Sequence, residues 1–300
     1  MRTIDIGIDK IDKIYHIADV HVRNVKRHKE YRLVFKRLYS YIKKTRTDNS
    51  LIYVAGDIVH SKTDMSPELI NVVSEFFKKL ADIAPTIVIT GNHDCNLNNS
   101  YRLDALSPIV KALNHQNIHY LKDNGIYYIS GVHFNVMSVF DKPADYIKAD
   151  DFEGDYKIAL HHGSVHNAST DAGFVLSNTH VTTNIFDGHD LVLLGDIHKP
   201  QYLNDEKTIA YAGSLIQQNH GEALGHGLMV WNLDSKECEF VDIPNDYGYY
   251  TYHIENGKIM NPSDDVPIRP RLRLKVKDTE AATLKEIVAK IKSQYKVQDI

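Results

Sequence analysis

The chain has 300 residues, 43% hydrophobic and 25% charged, with a formal net charge of −4. That length and apolar content suit one large α/β domain, or a main domain with a small appendage. The charge excludes a global basic field, so any nucleic-acid contact must come from local patches. The two cysteines, Cys95 and Cys238, show no CxxC spacing and exclude a disulfide framework or a zinc knuckle, so a reducing intracellular (cytoplasmic) compartment is expected.

The opening segment MRTIDIGIDKIDKIYHI is broken by charge every few residues, unlike a secretory signal, and no apolar run approaches the ~18 residues of a membrane span. IYHIAD (14–19) reads as a buried strand. Residues 28–44 read as a helix with Tyr31, Val34, Phe35, Leu38 and Ile42 on one face. SLIYVAGD (50–57) is a second buried strand. Ser66-Pro67-Glu68 then supplies an N-cap, a proline at the first helical position and an acidic first turn. That helix carries an apolar stripe from Leu69 to Leu80 and is followed by the strand TIVIT (86–90). Strands and helices alternating in this way predict a parallel sheet covered on both faces.

A helix is expected near 101–114, then short strands over 118–140 joined by turns at Asn124-Gly125 and near Gly131. KIALHHG (157–163), DLVLLGD (190–196), TIAYAGS (208–214) and GLMVWNL (227–233) read as further strands. Residues 164–189 read as a loop with a helix near 180–186. A boundary is expected near Pro244-Asn245-Asp246, which gives a main domain over 1–244 and a small α/β module over 245–300. The module should contain a TYHIENGKI hairpin, a strand over 271–277 and a helix over 280–295. The last residues look like the start of another strand, so the chain is expected either to have been cut there or to continue in a longer natural product.

Five of the strand ends carry residues of the metal-ligating type. They are Asp19 and His21, Asp57, the run Gly91-Asn92-His93-Asp94, His161-His162, and Asp196 and His198. In an α/β sheet, functional groups gather beyond the carboxyl ends of the strands. A single D-x-H is more often a cap beside a surface histidine, and GD is common in turns. Carboxylate, imidazole and one amide oxygen recurring in this order suit a pair of divalent ions such as manganese.

The order resembles the calcineurin-like metallophosphoesterases, with D-x-H, GD, GNH[DE], H and G-x-x-H spread over roughly residues 14–235. Within them the chain is most similar to the SbcD-type DNA repair and recombination nucleases, phage versions included. GDIVH (56–60) lacks the GD-x-x-DRG of protein phosphatases, and GNHD replaces their GNHE. YAGSLIQQNHGE (211–222) resembles the Tyr-x-Gly-Ser segment of those nucleases, and the C-terminal module resembles the start of their DNA-capping domain.

The resemblance implies a four-layer αββα sandwich and two Mn2+ ions, with Mg2+ as a substitute. It implies one ion on Asp19, His21 and His198, a second on Asn92, His161 and residue 196, and Asp57 bridging both. It gives His93 a role at the leaving oxygen, with Asp94 orienting it. The chain departs from the cellular enzymes at 196, where Asp196 replaces the His of G-H-x-H. The implied activity is 3′–5′ exonuclease action on duplex DNA and endonuclease action on single strands and hairpins. The implied partners are DNA, an SbcC-type SMC-like ATPase and a second copy of the chain, docked through the helix near 101–114. A small-molecule or phosphoprotein phosphoesterase, and a catalytically silent scaffold, stay open beside this reading.

Two basic stretches bear on DNA. Between Val22 and Arg46 lie ten Lys or Arg and one acid, Glu30. Arg269, Arg271, Arg273, Lys275 and Lys277 alternate with other residues, which on a strand places all five on one face. Their single sign fits a row of phosphate contacts better than a merely solvated face.

Overall fold

The runs read as buried strands build two large sheets. The computed structural model describes residues 1–99, 101–177 and 179–300. One sheet has six strands in the order Glu237–Asp242, Gly227–Asn232, Lys13–Ile17, Ser50–Ala55, Thr86–Ile89 and Ile118–Tyr120. The last four run parallel, as their continuous apolar character requires. The other sheet has seven strands, ordered Arg2–Thr3, Gly125–Ile129, Val132–Met137, Lys157–His162, Leu191–Gly195, Ile209–Tyr211 and Gln201–Tyr202. Its one tight hairpin turns on Ser130 and Gly131, with φ of 48° and 86°, the primed geometry that matches strand twist.

The sheets stack face to face, burying Ile14, Leu51, Tyr53 and Ile87 against Phe134, Leu160, Leu191 and Leu193. Helices His28–Thr45, Pro67–Ala81 and Leu106–Leu113 cover the outer face of the six-stranded sheet through Tyr31, Leu38, Phe76 and Leu106. The Ser66 hydroxyl accepts from the Leu69 amide at 3.3 Å and fixes the start of the second of these helices. The third begins at Leu106, later than the sequence suggested. The Asp104 carboxylate accepts from the amides of Leu106 and Ser107 at 2.9 and 2.7 Å, which sets the helix start there. Outside the seven-stranded sheet the covering layer is built from loops and the 3₁₀ turns Pro143–Asp145, Ala149–Asp151 and Thr183–Phe186, closed by Val165, Phe186 and Leu194. Where a helix is expected near 180–186, the chain makes only the 3₁₀ turn Thr183–Phe186.

Residues 247–277 form a third, three-stranded sheet ordered Lys258–Ile259, Tyr247–Glu255 and Arg269–Lys277, followed by helix Ala281–Gln294. Tyr252, Ile254, Leu272 and Ile291 give it a core of its own. Among the described residues no helix is long and apolar enough to cross a membrane.

Candidate metal centre

The strand ends of the two large sheets meet at one edge, and the chain is bent sharply as it leaves them. Asp19, His21 and Asp57 have φ of 50°, 49° and 52°, and Asp196 has 102°. Non-glycine residues adopt such values at a cost of about 1–3 kcal/mol each, and they cluster where function fixes the backbone. The turns fit only because glycine flanks them. A Cβ on Gly91 would lie 2.1 Å from Asp57 Oδ1, and one on Gly195 would lie 2.3 Å from the Ala55 carbonyl.

The bends bring two groups of side chains around one shared carboxylate. In the first group, His21 Nε2 lies 3.0 Å from His198 Nε2 and 3.8 Å from Asp19 Oδ1. Asp57 Oδ2 is 3.5 Å from the same His21 nitrogen. In the second group, His162 Nε2 lies 3.1 Å from Asn92 Oδ1, 3.4 Å from Asp57 Oδ1 and 3.9 Å from Asp196 Oδ1. Asp57 thus sits between the two groups, with Oδ2 near His21 of the first and Oδ1 near His162 of the second. Asp19 accepts from the Asp196 amide at 3.1 and 3.2 Å and so ties the two D-x-H turns together.

His162 stands where the sequence reading placed His161. The two are neighbours on a strand, so their side chains point to opposite faces. His161 points out of the cluster, its Nδ1–H donating to the Met137 carbonyl at 3.1 Å and its ring lying against Tyr146 and Phe186. His162 points in, with its other nitrogen 2.6 Å from the Ala55 carbonyl, which leaves Nε2 aimed at the site.

The donor set fits divalent cations. The Asn92 side-chain amide lies 3.1–3.2 Å from both Asp57 oxygens and from His162 Nε2. Carboxylate, imidazole and amide oxygen so gathered are ligand types that suit ions such as manganese. The electrostatics agree. Burial pushes the Asp19 carboxyl up to about 7, whereas the adjacent His162 outweighs burial at Asp57 and holds it well below the usual range. A cation would stabilise the charged form of the buried Asp19 carboxyl. Asp19, His21 and His198 could hold one ion, Asn92, His162 and Asp196 a second, and Asp57 both.

Around this centre lie residues that set it in place. The His198 Nδ1–H donates to Glu222 Oε1 at 2.8 Å. Burial alone would lower His198, but Glu222 and Asp19 outweigh it and push the imidazole up to about 9. The Ser164 hydroxyl donates to Asp196 Oδ2 at 2.6 Å. His93 donates its backbone N–H to Asp57 Oδ1 at 2.8 Å, and its Nδ1 lies 2.7 Å from the His60 carbonyl. That carbonyl, not Asp94, orients the ring. Asp94 is fully buried and instead accepts from the amides of Ile58, Val59 and Gly91 at 2.9–3.0 Å. It clamps the two loops that carry Asp57 and Asn92. The rings of His21, His60 and His93 cluster beside the first group, with His21 edge-on to His93 at 4.8 Å.

The basic strand divides into two parts. Arg269 stacks on Tyr247, and Arg271 is only 15% exposed, bonded to the buried Glu30 at 2.7 Å and laid over Tyr249. Arg271 is therefore occupied by packing and is unavailable as a phosphate contact. Arg273, Lys275 and Lys277 are exposed, the last paired with Glu255. Within the basic run 22–46, Arg27 and Arg37 are likewise bound, to Glu30 and to Asp246.

His162, His60 and Glu222 are the site residues that sequence reasoning missed. Asp19, Asp57, Asn92 and Asp196 all lie just past a strand end, and that rule points to His162, the last residue of its strand.

Comparison with known proteins gives a consistent picture. Residues 12–200 match the family described as calcineurin-like phosphoesterase. The chain is 44% identical over 313 aligned positions to the uncharacterized protein R555 of Acanthamoeba polyphaga mimivirus, covering all of this chain and 23% of that protein. It is 22% identical to the putative phosphoesterase 244L of Invertebrate iridescent virus 6, covering 75% of this chain and 77% of that one. The chain thus spans about a quarter of the length of the mimivirus relative.

Proposed function

The chain belongs to the calcineurin-like phosphoesterase family, and we propose that within it the protein is a manganese-dependent DNA nuclease of the SbcD type. It would cut duplex ends 3′–5′ and open single strands and hairpins. The observation that carries this reading is the third sheet, docked beside the metal-centre loop with Arg273 and Lys275 free on its surface. A small phosphate ester has no use for such a surface, whereas a polyanion does.

Divalent ions held by the seven side chains would supply Lewis acidity toward a phosphodiester. The protein's own contribution is placement and proton transfer. With His93 Nδ1–H donated to the His60 carbonyl, Nε2 is the nitrogen that carries the mobile proton. From there it would protonate the leaving sugar oxygen. Asp94 holds the Asp57 and Asn92 loops at a fixed separation, which keeps the two halves of the site in register. Asp196 adds a hard oxygen where the resembled enzymes have imidazole, which favours manganese and magnesium over softer ions.

We further propose DNA, an SbcC-type ATPase and a second copy of the chain as partners. The face around helix Leu106–Leu113, where Leu103 and Tyr101 are exposed, would form the dimer contact.

The test is cleavage of end-labelled duplex and hairpin DNA with manganese, magnesium or chelator, beside hydrolysis of a chromogenic phosphodiester. Manganese-dependent shortening from 3′ ends is expected. Hydrolysis of the small ester without DNA cleavage would replace this reading with a small-molecule phosphoesterase. Inactivity on both would favour a scaffold.

A further inference from the structure

His198 occupies a loop, and its side chain is 28% exposed, whereas those of His21 and His162 are 3% and 1% exposed. A ring so placed keeps its orientation only if something holds its second nitrogen. That group is Glu222, whose side chain is 7% exposed. Glu222 is in turn fixed by its own loop, accepting from the Gln218 amide at 2.6 Å and from Asn219 Nδ2 at 2.7 Å.

The loop is held by the third sheet. Gln217 is buried, and its side chain joins the two bodies. Its Oε1 accepts from the Tyr249 amide at 2.6 Å, and its Nε2 donates to the Tyr249 carbonyl at 3.2 Å and to the Glu222 carbonyl at 2.9 Å. Arg27 donates to the Gln217 carbonyl at 2.7 Å and to both oxygens of Glu30 at 2.9 Å. Glu30, fully buried, also receives Arg271 from the third sheet at 2.7 Å and Asn245 Nδ2 at 3.0 Å. The Tyr249 ring lies between the two guanidiniums, 5.4 Å from Arg27 and 5.2 Å from Arg271. Gln217, Arg27 and Glu30 are buried on this path, so undocking the sheet would leave Gln217 Oε1 and the Arg271-facing side of Glu30 without their partners.

We infer that Gln217, Glu222 and the Glu30–Arg271 pair are positioning residues that make the orientation of His198 depend on docking of the C-terminal sheet. Docked, the sheet fixes Gln217, the 217–222 loop and Glu222, and His198 presents Nε2 to His21. Undocked, the loop loses its outer anchor and His198 its fixed acceptor. Anything that displaces the sheet then acts on the metal centre. This inference rests on His198 being a metal ligand and is independent of DNA being the substrate.

The experiment uses the full chain in three measurements. Hydrogen exchange at the Tyr249 amide reports docking. The ¹⁵N resonances of His198 in chelator-treated protein report its hydrogen bond. Titration with Mn2+ alone reports affinity. Arg271→Ala and Gln217→Ala should each speed Tyr249 exchange and move the His198 Nδ1 resonance in the direction given by Glu222→Gln. Each should weaken manganese binding by roughly tenfold, the low end for loss of a group that orients a ligand. Arg273→Ala, which breaks none of these bonds, should leave all three unchanged. Arg271→Lys should fall between wild type and Arg271→Ala, and serves if the alanine variant does not fold. Unchanged Tyr249 protection in Arg271→Ala overturns the inference. So does a released sheet with His198 and manganese affinity at wild-type values. If wild type binds no manganese, the metal reading fails and the His198 resonances alone decide the relay.

Discussion

The two D-x-H turns, Asp19-Val20-His21 and Asp196-Ile197-His198, look alike as sequence and are held in different ways. The first is bound by backbone. Asp19, His21 and Val22 donate to the carbonyls of Gly56, Asp57 and Ile58, and the Tyr31 hydroxyl donates to the His21 carbonyl at 2.6 Å. Its side chains are essentially buried, and the His21 ring is fixed by the rings of His60, His93 and His198 around it. The second turn is more open, and side chains from elsewhere hold it, Ser164 at Asp196 and Glu222 at His198. One half of the centre is therefore part of the core, and the other is adjustable from outside. The turns also divide differently. Asp19 and His21 lie in one group, whereas His198 faces His21 and Asp196 faces His162.

Variants at the two turns should break this comparison most sharply. Asp19→Ala should abolish manganese-dependent hydrolysis of a phosphodiester and remove ion from the first group, by metal analysis of the purified protein. Asp196→Ala should remove the second ion alone, with an unchanged circular dichroism spectrum. Asp196→His should return much of the manganese activity and little of the magnesium activity, since imidazole is the softer ligand. Equal losses of both ions from both alanine variants would erase the distinction.

His93→Ala lies between the turns and tests the proton-transfer role. It should lower turnover by about 10²–10⁴-fold while metal content holds. Metal lost in proportion to activity would make His93 a ligand.

The adjustable half depends on the ion cluster at Glu30, where stability should respond. Glu30→Ala leaves Arg27 and Arg271 buried without their carboxylate and should cost about 3–5 kcal/mol in denaturant unfolding. Burial would raise the Glu30 carboxyl, but Arg27 and Arg271 outweigh it and hold it below the ordinary 4.5. A carboxyl lowered in the folded state adds stability above its unfolded value, and that stability is lost as pH falls through the folded value. Loosening of the third sheet, followed by Tyr249 exchange, should thus begin only below about pH 4.5, and Glu30→Gln should flatten that dependence. The smallest effect is expected on the sheet's free surface. Arg273→Glu with Lys275→Glu should weaken DNA binding and flatten its salt slope by about two, while sparing a small phosphodiester.

Much of the fold was legible because the buried strands are continuous apolar runs and the helices carry apolar stripes, one of them behind the Ser66 cap. The five motif positions were legible for the same reason, since a polar residue directly after such a run must sit at a strand end. Which of His161 and His162 enters the site was not. The strand Lys157–His162 is buried on both faces, so its apolar pattern carries no parity. The role of Asp94 was misread because a carboxylate next to His93 in sequence is turned toward backbone amides by the bend between them. The alternating arginines were legible as one face of a strand. That Arg271 is consumed by Glu30, some 240 residues away, depends on docking that no local pattern records.

The central claim is a two-ion site that shares Asp57 and divides the second D-x-H turn. Anomalous diffraction from crystals grown with manganese tests it directly. The account predicts two peaks, one bonded to Asp19, His21 and His198, the other to Asn92, His162 and Asp196, with Asp57 between them. A single peak, a second ion bonded to His161, or Asp196 bonded only to Ser164 and protein amides would contradict it.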